Sequence, residues 1–182
     1  MYDTGTEVPK DEAEAVKWYR KAAEQGCVPA QYNLGHCYRT GTGITKDIVE
    51  AVKWYRKSAE QGNSYGQLNL GWMYVNGRGV PNDDAEALKW YRKSAEQGNP
   101  DAQIKLGVMY TKGIGVPKDE AEAVKWYRKS ADQGNTDAQD RLGLISSSGK
   151  KVPKAGEIRI MPINGNEEKI SNLKNTKFTR ID

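Results

Sequence analysis

The stretch "VPKDEAEAVKWYRK" occupies Val8 to Lys21 and returns letter for letter at Val116 to Lys129, 108 residues later. Two worn copies stand between them, "ITKDIVEAVKWYRK" from Ile44 and "VPNDDAEALKWYRK" from Val80. Trp18, Trp54, Trp90 and Trp126 therefore stand on a ladder with a period of 36 residues. Self-similarity at a fixed period of this size marks a repeat array, in which each unit buries its apolar face against its neighbours.

Within each copy Ala15, Trp18, Tyr19, Ala22 and Ala23, or their equivalents, fall at the i, i+3, i+4, i+7, i+8 spacing of an amphipathic helix, with Lys17, Arg20, Lys21 and Glu24 opposite. Asp11 followed by Glu14 resembles a capping box, repeated as Asp47/Glu50, Asp83/Glu86 and Asp119/Glu122. Gly26, Gly62, Gly98 and Gly134 supply the stop. A second helical pattern precedes the later copies: "AQYNLGHCY" from Ala30, "GQLNLGWMY" from Gly66, "AQIKLGVMY" from Ala102 and "AQDRLGLIS" from Ala138. Asn63, Asn99 and Asn135 stand at its expected N-cap, and the Gly-x-Gly pairs 41/43, 77/79 and 113/115 make the turn into the Trp-bearing helix. The unit is a helical hairpin, called here a first helix followed by a second helix.

Eight helices in antiparallel pairs follow, giving an all-α solenoid. Full repeats cover 27–62, 63–98 and 99–134; residues 1–26 and 135–149 are half repeats, so that the array spans 1–149. The half repeat at 1–26 leaves its helix without an upstream partner, an end at which the chain would self-associate unless further repeats precede it. From 150 to 182 the pattern decays into a basic polar tail, where Gly156 and Pro162 break the next helix and one helical turn is expected near Glu167 to Lys174. Residues 1–149 carry 20 basic and 20 acidic side chains, so the net charge of +4 comes from the tail. With 37% hydrophobic residues the chain suits a thin core, and no apolar run approaches the roughly 20 residues that span a bilayer. The start lacks the features of a signal peptide, and a cytoplasmic location is expected.

The pattern A-x-x-x-L-G-x-x-Y-x-x-G-x-G-V followed by D-x-x-x-A-x-x-W-Y-x-x-A-A-x-x-G resembles the Sel-1-like repeat family, a relative of the tetratricopeptide repeats. The resemblance implies a right-handed α/α superhelical solenoid acting as a non-enzymatic protein-interaction scaffold or adaptor, with the first helices lining its concave side. Some relatives are cysteine-rich and secreted, or carry a β-lactamase or penicillin-binding label. In this chain Cys27 takes an N-cap slot and Cys37 a core slot ten residues on, too far along a helix for a disulfide. Two free thiols are expected.

Candidate chemistry is sparse. Ser147-x-x-Lys150, Ser148-x-x-Lys151 and Ser171-x-x-Lys174 match the S-x-x-K of serine β-lactamases without its companion motifs. "GLISSSGKK" from Gly143 has the wrong spacing for a phosphate loop. The single histidine, His36, lacks co-ligands at zinc spacing, so no metal or cofactor is expected. The ridge of Lys17, Arg20, Lys21 and their equivalents suggests nucleic acid, but the acidic residues beside it favour a solvated face. The sharpest signal is where near-identical repeats disagree. Tyr32, His36 and Arg39, then Leu68, Trp72 and Val75, then Ile104, Val108 and Thr111 occupy one i, i+4, i+7 stripe of successive first helices. This stripe is the candidate partner-binding surface, and packing between neighbouring first helices is the competing explanation.

Overall fold

The computed structural model describes residues 11–147. They form eight helices and no strand: α1 (Glu12–Glu24), α2 (Val28–Thr40), α3 (Ile48–Glu60), α4 (Ser64–Val75), α5 (Asp84–Glu96), α6 (Pro100–Lys112), α7 (Glu120–Ala131) and α8 (Thr136–Ser147). The even-numbered helices are the first helices and the odd-numbered ones the second helices. Packing is mainly between chain neighbours, and the pairs α2 with α3, α4 with α5 and α6 with α7 pack most extensively. The expected turn in the tail lies outside the described residues.

The helix starts are half of what the sequence suggests. Asp11, Asp47, Asp83 and Asp119 each accept the backbone N–H three residues on, at 2.8 to 3.0 Å. The returning half of the capping box is absent, because Glu14, Glu50, Glu86 and Glu122 pair instead with the lysine one turn further, Lys17, Lys53, Lys89 and Lys125. Asn63, Asn99 and Asn135 cap their helices as expected, whereas Cys27 makes no side-chain cap.

The interior joints are built on bare backbone. Gly35, Gly71 and Gly107 leave room for the rings of Tyr55, Tyr91 and Tyr127 from the following second helix. Gly43 holds a φ of 66°, and a β-carbon there would overlap the carbonyl of Glu12, so each turn closes against the second helix of the preceding repeat. Two polar ladders run through the same joints. Ser58, Ser94 and Ser130, all buried, donate to the carbonyls of Val28, Ser64 and Pro100. Buried Gln31, Gln67 and Gln103 donate to the carbonyls of Ala23, Ala59 and Ala95 and accept from Gln61, Gln97 and Gln133 at 2.7 to 2.8 Å. Buried amides and hydroxyls with partners of this kind fix register as well as stability.

The Trp-bearing stripe depends on position. In α3, α5 and α7 the equivalents of Ala15, Tyr19, Ala22 and Ala23 are buried, apart from half-buried Ala131. Trp90 and Trp126 are buried and Trp54 half-buried, each packed on the preceding repeat. In α1 only Ala23 and the off-stripe Val16 are buried, Ala15 is exposed and Trp18 is 61% exposed. The reason is that, among the described residues, α1 has a first helix on one side and the later second helices have one on both. The indole N–H groups of Trp90 and Trp126 are buried without an acceptor, a standing cost in an otherwise satisfied interior.

Candidate functional site

A groove of about 470 Å³ crosses the first helices, receiving Arg39 from α2, Leu68, Asn69 and Trp72 from α4, Asp101, Ile104 and Lys105 from α6, and Asp137 from α8, with Tyr91 of α5 behind. Trp72 is 37% exposed, while Ile104 is 4% exposed. The groove is of mixed charge. Its lining includes Arg39 and Lys105 as well as Asp101 and Asp137, and Asp137 is held by Arg141 at 3.1 Å.

Of the nine stripe residues, four reach this groove: Arg39, Leu68, Trp72 and Ile104. The others are placed differently. Tyr32 packs its ring 5.9 Å from Tyr55 and 6.0 Å from Tyr65. His36 lines a separate cavity of about 210 Å³ with Asp11, Glu12 and Tyr19. Val75 and Val108 are half-buried against core clusters. Thr111 donates to the Gly107 carbonyl and lies 3.2 Å from the Tyr127 hydroxyl. Arg39 serves both purposes, because its Nε donates to the Tyr55 hydroxyl at 3.2 Å. Burial pushes the Tyr55 phenol up to about 12, with Arg39 pulling the other way, and burial alone raises Tyr91.

The sequence reading missed Asn69, Asp101, Lys105 and Asp137. Its own signal covers them, since position 33 and its equivalents read Asn33, Asn69, Lys105 and Arg141, and position 29 and its equivalents read Pro29, Tyr65, Asp101 and Asp137. The diverging surface is two stripes wide.

The phosphate-loop candidate lacks the geometry it needs among the described residues. Gly143 to Ser147 continue α8, where a phosphate loop would need irregular backbone, and Ser147 donates to the Leu144 carbonyl. Ser148, Lys150, Lys151, Ser171 and Lys174 lie outside the described residues. Cys37 is a buried free thiol whose ionisation is pushed up, first by burial and then by Glu12, which keeps it protonated; Cys27 is free and exposed. Burial, then the charge of Arg39, lowers the pKa of His36. Among the described residues no three His, Cys, Asp or Glu side chains are placed to hold a metal, and no helix is long and apolar enough to cross a membrane. Most ridge cations are committed locally: Lys17 and its equivalents to glutamates, Arg20, Arg56 and Arg92 to the hydroxyls of Tyr38, Tyr74 and Tyr110, and Lys57, Lys93 and Lys129 over tryptophan rings at 4.0 to 4.4 Å.

The eight helices and their repeated joints define an all-α repeat solenoid. The Sel1 repeat matches residues 1–27, 28–63, 64–99 and 100–135, and the chain belongs to the Sel1 repeat family. It is 44% identical to a Sel1 repeat protein from Oxalobacter formigenes whose crystal structure superposes with a TM-score of 0.76, over 84% of this chain and 61% of that one. The chain thus spans less than two thirds of that relative. Cysteine-rich protein B from Helicobacter pylori is 29% identical with a TM-score of 0.59, over 76% of this chain and 98% of that one. The immunity protein Pa5087 from Pseudomonas aeruginosa is 28% identical with a TM-score of 0.54, over 79% and 54%. A search of the curated proteins found no match. Sel1 repeat proteins are generally protein-interaction scaffolds, and the fold is typically non-catalytic.

Proposed function

We propose that this chain is a non-enzymatic adaptor whose groove across α2, α4, α6 and α8 takes a segment of a partner protein, with Trp72 as the anchor. The observation that carries this is Trp72 itself: a large aromatic left 37% exposed in a groove, at a slot that holds His36 in the repeat before and Val108 in the repeat after. Anchors of binding energy are typically aromatic side chains set among residues that exclude water. Leu68 extends the apolar floor, and Arg39, Lys105 and Asp101 supply charges of both signs at its rim. The matching segment carries one apolar or aromatic side chain flanked by charges of both signs. Two free cysteines suit a reducing compartment, in keeping with an adaptor in the cytoplasm.

The test is a random-peptide selection against the chain, followed by hydrogen exchange with the best binder. Protection concentrated on α4 and α6 supports the groove; protection confined to the second helices overturns it.

A further inference from the structure

α3 lies between first helices α2 and α4, α5 between α4 and α6, and α7 between α6 and α8, whereas among the described residues α1 has a first helix, α2, on one side. Its open side is a face seen elsewhere in the chain. Glu12 to Lys21 is identical to Glu120 to Lys129 of α7, the helix that seats on α6 with Tyr127 against Gly107. In α1 that face leaves Ala15 and Trp18 exposed, with the cavity of about 210 Å³ beside Ala15 and Tyr19. By the repeat offset this is where a preceding first helix would lie, as α2 lies with Gly35 against Tyr55 and the Ala51 carbonyl.

The complementary surface is on α8, a first helix. Gly143 takes the slot of Gly35, Gly71 and Gly107, yet no described atom lies within 4 Å of a β-carbon placed there. Gln139 is exposed where Gln31, Gln67 and Gln103 are buried, and Leu144 is 71% exposed. We propose that α1 of one copy of this chain docks on α8 of a second copy, Tyr19 against Gly143, reproducing the α6 to α7 joint between molecules. The match extends to polar groups. Gln25 stands in the slot of Gln133, which donates to Gln103, and so meets Gln139. The Tyr19 hydroxyl meets Ser147, which holds the slot of Thr111 beside Tyr127.

The joint is weaker than its internal counterparts for two reasons. Ala22 replaces the serine whose hydroxyl, in Ser130, reaches the Pro100 carbonyl. The glycine that closes each internal turn has no counterpart, since its slot carries Glu7 at one end of the array and Lys151 at the other. Because the two surfaces differ, the contact is head-to-tail rather than two-fold, and copies add end to end.

Sedimentation equilibrium of the full chain tests this with two blocking variants. Trp18→Glu and Gly143→Arg both act at uncovered positions and both keep good helix formers, so their thermal midpoints stay at or above the parent value. The parent is expected to grow in mean mass with concentration, and each variant to weaken association by about tenfold or more. An equimolar mixture of the variants restores one intact pair of surfaces and forms a dimer that grows no further. A parent that stays monomeric at high concentration overturns the proposal. So does association that Gly143→Arg leaves unchanged, which would place the contact elsewhere, or a monomer in which Gly143→Arg lowers the thermal midpoint, which would show the slot filled by the chain's own tail.

Discussion

The ring of Tyr91 stands against the bare backbone of Gly71, its Cδ1 2.8 Å from where a β-carbon would lie. Replacing a helical glycine by alanine normally stabilises a helix by about 1 kcal/mol. Here the added methyl must displace a buried aromatic ring, and overpacking of that kind costs about 1 to 3 kcal/mol. Gly71→Ala is therefore expected to lose about 1 to 2 kcal/mol in urea unfolding, while Gly143→Ala, with no described atom within 4 Å of the added methyl, gains up to about 1 kcal/mol. Equal effects at the two sites would contradict the packing described.

Trp90 fills the space between α3 and α4, but its indole N–H is buried with no acceptor. Trp90→Ala leaves a cavity and should cost about 3 to 5 kcal/mol. Trp90→Phe keeps most of the ring and removes an orphan donor whose burial costs about 1 to 3 kcal/mol, so its loss should be well under half that of the alanine variant. Thermal unfolding of the two proteins side by side is the check.

Alkaline pH should unfold the array through its buried phenols. Burial raises Tyr55 from 10.0 to about 12 and moves Tyr91 the same way. A folded-state pKa above the unfolded one means that the folded chain keeps a proton the unfolded chain gives up. Stability is thus intact below about pH 10 and is lost as pH rises through the folded value, by about 3 kcal/mol for Tyr55. Phenolate absorbance should show a fraction of the tyrosines ionising late and together with unfolding. Ionisation of all of them near their ordinary value, with the helices intact, would refute this.

The period, helix pairing, Asp and Asn caps and turn glycines were readable because each rests on local chemistry repeated three or four times over. Three features were not. The glutamine ladder looks like surface polarity in sequence, since Gln31 and Gln67 carry no sign that they meet Gln61 and Gln97 thirty residues on. The exposure of Trp18 depends on which helix lies beside α1, and its letters are the same as those around buried Trp126. The diverging stripe was visible, but whether a variable residue faces solvent or a neighbour is tertiary information. Tyr32 and Thr111 turned inward to tyrosines, while Trp72 did not.

The central claim is that the first-helix groove is a recognition surface anchored by Trp72, and Trp72→Ala is its most direct test. The measurement is a paired one, binding of a peptide selected on the parent chain alongside the thermal midpoint of the free protein. The account predicts affinity reduced by more than about tenfold, the loss of an aromatic anchor, with a midpoint close to the parent's. Intact affinity together with marked destabilisation would show that Trp72 is a packing residue and that the groove is not the site.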